Sequence, residues 1–168
     1  MSATTGRGAP RPFLLDTRSA SSRTSTALLL VRLVPGAVFL SEGVQKFLFP
    51  DALAAGRFAK IGIPAPELIG PFAGAVETVC GLLLVVGLLT RLATVPLIVD
   101  MVLALALTKI PILWGGSADK PSARGLWDFA HEARTGYTML LTLVAVLLAG
   151  AGAWSVDACR ARANGHTT

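Results

Sequence analysis

Ionisable side chains sit inside stretches of this chain that are otherwise apolar enough to cross a bilayer, and that restricts its folds severely. Glu77 lies within residues 69–89, Asp100 within 92–107, and Arg32, Glu42 and Lys46 punctuate 26–49. A charge at membrane depth is expensive. It faces a protein interior or a wet cavity, finds a partner and marks function. Only 15% of the 168 residues are charged and 53% are hydrophobic, whereas a soluble domain carries roughly 25% charged residues.

Four membrane spans are expected, at about residues 26–49, 67–89, 91–110 and 131–154. Each is close to the ~20 residues that cross the hydrocarbon core. They form one four-span domain over 26–158, with a short tail at 159–168. Helix is the default because each span must satisfy its own backbone, and four short runs cannot close a barrel. The turn at 89–91 forces spans two and three into an antiparallel hairpin. The fold class is therefore all-α: an antiparallel four-helix transmembrane bundle. Residues 1–25, rich in Ser, Thr, Arg and Pro, read as a disordered tail. No short apolar segment with a cleavage site occupies a secretory position, so the first run is a retained span. Arg7, Arg11, Arg18 and Arg23 beside that span favour both termini on the cytoplasmic side. No aromatic residues interleave with these arginines, so the basic ends suit lipid headgroups and not nucleic acid.

Helical phase places Arg32, Gly36, Phe39, Gly43 and Lys46 on one face of span one, and Gly70, Gly74, Glu77 and Gly81 on one face of span two. Glycines around a carboxylate let a neighbouring helix approach closely. Glu42 stands four residues before Lys46, the favourable order for an intrahelical pair. At about 1.5 Å per residue the charges fall into two layers. An inner layer holds Arg32, Glu77 and Asp100, and is the candidate buried polar site. An outer layer holds Glu42, Lys46, Lys109 and Glu132 at roughly 24–30 Å, closer to water. One base against two acids leaves an acid unmatched. Such a group suits a proton relay or a hydrogen-bonding site for quinone, while the plainer reading is a polar knot that fixes helix register.

The loop at 111–130 carries Trp114 and Trp127, which suit an interfacial belt. It reads as an interfacial loop or a lid, and residues 126–134 as a short amphipathic turn lying before span four. Cys80 and Cys159 form no CxxC pair, and His131 and His166 are the only histidines. No metal site, haem, iron–sulfur cluster or phosphate loop is expected.

The segment LLLVRLVPGAVFLSEGVQKF resembles the opening R-x(3)-G-x(2)-F-x(3)-G-x(2)-K pattern of the DoxX family, through Arg32, Gly36, Phe39, Gly43 and Lys46. GAVETVCGLLLVVGLLTRLA resembles its second-span pattern through Gly74, Glu77, Gly81, Gly87, Thr90 and Arg91. Met101 with Ala104, Glu132, and the ending with Ser155 and Asp157 continue the resemblance. It implies a small bacterial plasma-membrane protein, associated in relatives with quinone-linked sulfur oxidation and with oxidoreductase complexes handling thiols and oxidative stress. The expected role is a membrane subunit that is not catalytic on its own. Its partners would be lipid, a soluble or membrane oxidoreductase and a second copy of the chain, with quinone as the one candidate cofactor and none bound covalently. A small solute or proton transporter, and a scaffold recruiting a soluble enzyme through its basic tail, are the alternatives.

Overall fold

The computed structural model describes residues 17–164, with side chains from Thr24 to Ala163. Among the described residues the chain is helical apart from turns and one isolated bridge, Ser117 with Lys120. α1 (Thr17–Leu48), α4 (Pro66–Val86), α5 (Thr90–Ala104) and α6 (Gly125–Ala149) are the long elements; α2 (Pro50–Leu53) and α3 (Ala55–Lys60) follow α1, and α7 (Val156–Asn164) follows α6. Among the described residues, four helices are long and apolar enough to cross a membrane: Thr24–Leu48, Pro66–Val86, Thr90–Leu113 and Gly125–Ala149. Residues 1–16 of the expected tail lie outside the described residues, and α1 already begins at Thr17.

Small residues set the tightest packing. α1 and α4 make the most extensive helix pair. A Cβ on Gly43 would fall 2.5 Å from the Thr78 amide nitrogen, and one on Gly81 2.5 Å from that of Leu40. Only glycine lets the backbones meet there, which is how membrane helices associate when lipid removes the hydrophobic drive. Phe39, Leu84, Leu97, Met139, Leu143 and Val146 form the buried apolar cluster that draws all four spans together.

The turn between α4 and α5 is as short as expected. Gly87 ends α4 in the left-handed region at φ 75°, where glycine has no steric penalty. Leu89 is also left-handed, at φ 49°. Two backbone amides left bare by the new helix, those of Leu89 and Thr90, donate to the Asp157 carboxylate at 2.9 and 3.0 Å. A side chain from the chain's end thus caps α5.

Two boundaries differ from the sequence expectation. α6 begins at Gly125, so the expected flat turn at 126–134 is the continuous start of the fourth span. That span ends at Ala149, and Trp154 lies beyond it. Gly150, at φ 81°, stops the helix. Helix α5 also widens into a π-helical turn at Leu105–Lys109 and tightens into a 3-10 turn at Ile110–Leu113. Pro111 explains the change, because its ring blocks a regular turn and it has no N–H to donate.

α1 stops short of the far end of α4. The gap is filled by α2 and α3; Ala54 between them and Ala55 at the start of α3 lie against Gly70. Lys46 therefore sits deeper than a span reaching the interface would place it.

Candidate functional site

The structure sorts the membrane charges differently from the two expected layers. Arg32 is buried, at 1% exposure, yet it meets no carboxylate in its layer. Its guanidinium donates to the carbonyl oxygens of Ala151 at 2.7 Å and Trp154 at 3.0 Å. These carbonyls follow the C-terminus of α6, where acceptors are bare and a cation is favoured. The interior stripe of α1 is otherwise as expected: Gly36, Phe39 and Gly43 are buried and Lys46 is largely covered.

Lys46 turns inward. Its ammonium donates to Glu77 Oε2 in a pair whose side chains are 11% and 5% exposed. Glu77 is the carboxylate expected in the inner layer and Lys46 the cation expected in the outer one. Asp100, half-buried on α5, stands close enough to Glu77 for the two carboxyls to interact. Glu42 does not pair with Lys46; its side chain is exposed. Lys109 and Glu132 do meet, at 3.2 Å, and Lys120 joins Glu132 at 3.5 Å. Nearby, Arg57 pairs with Asp119 at 2.6 Å, tying α3 to the loop before α6.

Lys46, Glu77 and Asp100 form the polar wall of a cavity of about 670 Å³ between α4 and α5. Thr108, in the π-helical turn, also faces it, with its hydroxyl donating to the Ala104 carbonyl at 2.7 Å. Arg57, paired with Asp119, adds a second cation to the lining, and the rest of the walls are apolar. Phe72, Val99, Leu103 and Leu107 line the cavity and are each 45–67% exposed on the protein's outer face. The cavity is therefore open sideways, between two membrane helices. At the far end it is covered by Phe58, Ile61, Ile63 and Pro64, from α3 and the turn that follows. A shallower hollow of about 480 Å³ at the terminal end includes Asp157, whose two oxygens already accept backbone hydrogen bonds.

The lining holds two carboxyls and two cations, but Arg57 is held by Asp119 and Lys46 by Glu77, so Asp100 has no ion-pair partner among the described residues. Taking such groups out of water is costly unless every one is answered. Among the described residues no group of three or more His, Cys, Asp or Glu side chains is placed to hold a metal.

Sequence reasoning missed the Lys46–Glu77 pair because it ended α1 at the interface. The antiparallel glycine register would have found it: Gly43 packs between Gly74 and Thr78, which brings Lys46 within reach of Glu77.

The DoxX family model matches residues 27–110, the stretch that supplies Lys46, Arg57, Glu77 and Asp100, the charged groups that line the cavity. An uncharacterized membrane protein of Mycobacterium tuberculosis, Rv3486, is 47% identical over 156 residues, covering 92% of this chain and 91% of the relative. The chain belongs to the DoxX family of integral membrane proteins. No solved structure matches it.

Proposed function

We propose that this protein is a membrane subunit of a quinone-linked oxidoreductase assembly, and that the α4–α5 cavity receives the quinone head. The observation that carries the reading is the cavity itself: lateral access from the lipid side, apolar walls, and a Lys46–Glu77–Asp100 cluster at one side. Binding pockets are mostly apolar with a few placed polar groups. A hydroquinone brings hydroxyl donors for the unmatched carboxyl. A quinone brings carbonyl acceptors for the Lys46 ammonium or a protonated acid. The prenyl tail then leaves past Phe72, Val99 and Leu103 into lipid. Lys46 and Glu77 hold the head and orient it, with the Asp100 carboxyl beside them. In this reading electrons reach the quinone from a partner subunit. The setting is the plasma membrane with both termini cytoplasmic, which puts the cavity in the outer half of the bilayer.

The transport alternative loses some appeal from the placement of Arg32. The proposed solute layer of Arg32, Glu77 and Asp100 is split, because the guanidinium is held by backbone carbonyls.

Glu77→Gln tests the reading. Membranes carrying the variant should insert as much protein as wild type but lose most quinone-dependent electron flow. Unchanged flow with normal insertion would contradict it.

A further inference from the structure

The Glu42 side chain is exposed on a membrane span, and the register of α1 against α4 puts it at mid-depth. Gly43 lies between Gly74 and Thr78, so Glu42 is level with Glu77, about midway along α4 (Pro66–Val86). Among the described residues it has no hydrogen-bond or ion-pair partner within the chain. A carboxyl turned toward hydrocarbon at that depth costs several kcal/mol by the lower estimates. The surface around it is not ordinary lipid-facing surface. Ser41 is exposed beside it, and Gln45 donates to Ser41 Oγ at 2.9 Å.

These residues belong to a regular seam. Val34, Val38, Ser41, Gln45 and Leu48 recur at spacings of four, three, four and three residues, the heptad rhythm of helices that coil around one another. Val34, Val38 and Leu48 are 57%, 39% and 65% exposed, so none of the described residues covers the seam. Its polar members sit in the middle, where a polar seam residue fixes register.

We propose that this seam is a self-association surface, in which α1 of one copy packs in parallel against α1 of a second copy. The chemistry of the seam selects this occupant. It carries both halves of its own hydrogen bonds: Ser41 keeps its hydroxyl proton and Gln45 keeps a second amide N–H, while Glu42 and the Gln45 carbonyl accept. Copies of a multi-pass protein insert in one orientation, so a two-fold axis along the membrane normal brings the same residues together at the same depth. Glu42 of each copy then accepts from Gln45 and Ser41 of the other. The contact lies on α1, and the cavity between α4 and α5 stays open in the pair.

Disulfide trapping in native membranes tests this. With Cys80 and Cys159 replaced by Ser, Ser41→Cys should cross-link to a second copy, whereas Val102→Cys, an exposed position on α5 (47%), should not. Adding Glu42→Leu to Ser41→Cys should cut the cross-linked fraction by roughly tenfold at equal expression, with Phe39-side packing and insertion unchanged. Three results would overturn the proposal: no Ser41→Cys dimer, equal trapping at Val102→Cys, or capture of a different membrane protein in place of the second copy. Light scattering of the unmodified chain in nanodiscs checks the same point without cysteines, and a single copy per particle at saturating loading would also overturn it.

Discussion

The two ends of this membrane domain answer buried charge in opposite ways. At the terminal end Arg32 and Asp157 are met by backbone: carbonyls of Ala151 and Trp154 for the cation, amides of Leu89 and Thr90 for the acid. Those partners cannot leave or change protonation, so the arrangement locks helix ends together. In the cavity a charge meets a charge, Lys46 with Glu77, and Asp100 beside them has no ion-pair partner among the described residues. That end is open to a ligand. Buried charge is thus not one signal. What answers it separates a clasp from a site.

The largest effect should come from breaking the cavity pair. Lys46→Met leaves two carboxyls without a cation and should cost about 3–5 kcal/mol, measured as loss of folded protein in detergent-melting curves. Adding Glu77→Leu should restore most of it, because the pair as a whole contributes little net stability. If the double variant melts as low as the single, the pair is a stabilising element like the clasp and the contrast fails.

Arg32→Met should come next. Two charge-assisted hydrogen bonds are lost and buried carbonyls are left bare, at about 3 kcal/mol by the usual cost of such bonds. Here no second-site neutralisation should rescue, since the partners are backbone. Quinone content should be unchanged per folded molecule.

Asp157→Asn should cost about 1 kcal/mol, the usual worth of a helix cap, and its signature is pH dependence. Burial works against the Asp157 charge, but the amides of Thr90 and Leu89 that donate to it outweigh burial and hold its carboxyl below the ordinary value. A lowered folded value means the carboxylate's contribution is fully present above the unfolded value of about 3.9 and is lost as pH falls through the folded value. Wild type should therefore lose stability on acidification below about pH 4, relative to Asp157→Asn. Parallel melting of the two proteins from pH 6 to pH 3 would show it, and a constant gap would remove the cap from the account.

The glycine-lined stripes of α1 and α4 were legible because phase and small residues are local properties. Gly36, Gly43, Gly74, Glu77 and Gly81 are all buried where the pattern puts them. Partners were not legible, because they depend on depth, and depth was counted along a span assumed to end at the interface. The short helices after Leu48 and the π-helical turn at Leu105–Lys109 both break that count. Glu42 shows the same limit from the other side. Its spacing to Lys46 satisfied an intrahelical rule, but Lys46 had a better-buried acid in Glu77. The clasp at Arg32 could not be read at all, since backbone acceptors carry no residue signature.

Asp100→Asn has the smallest expected effect on stability, within about 1 kcal/mol, because Asp100 holds no cation of its own. It should have one of the largest effects on the cavity's contents, and that makes it the sharpest test. Quinone extracted from wild-type protein purified in mild detergent should approach one per chain. From Asp100→Asn at matched folded protein it should fall by roughly tenfold, equivalent to about 1.4 kcal/mol of binding. Equal quinone in the two preparations, or none in wild type, would contradict the assignment of the Lys46–Glu77–Asp100 cavity as a quinone site.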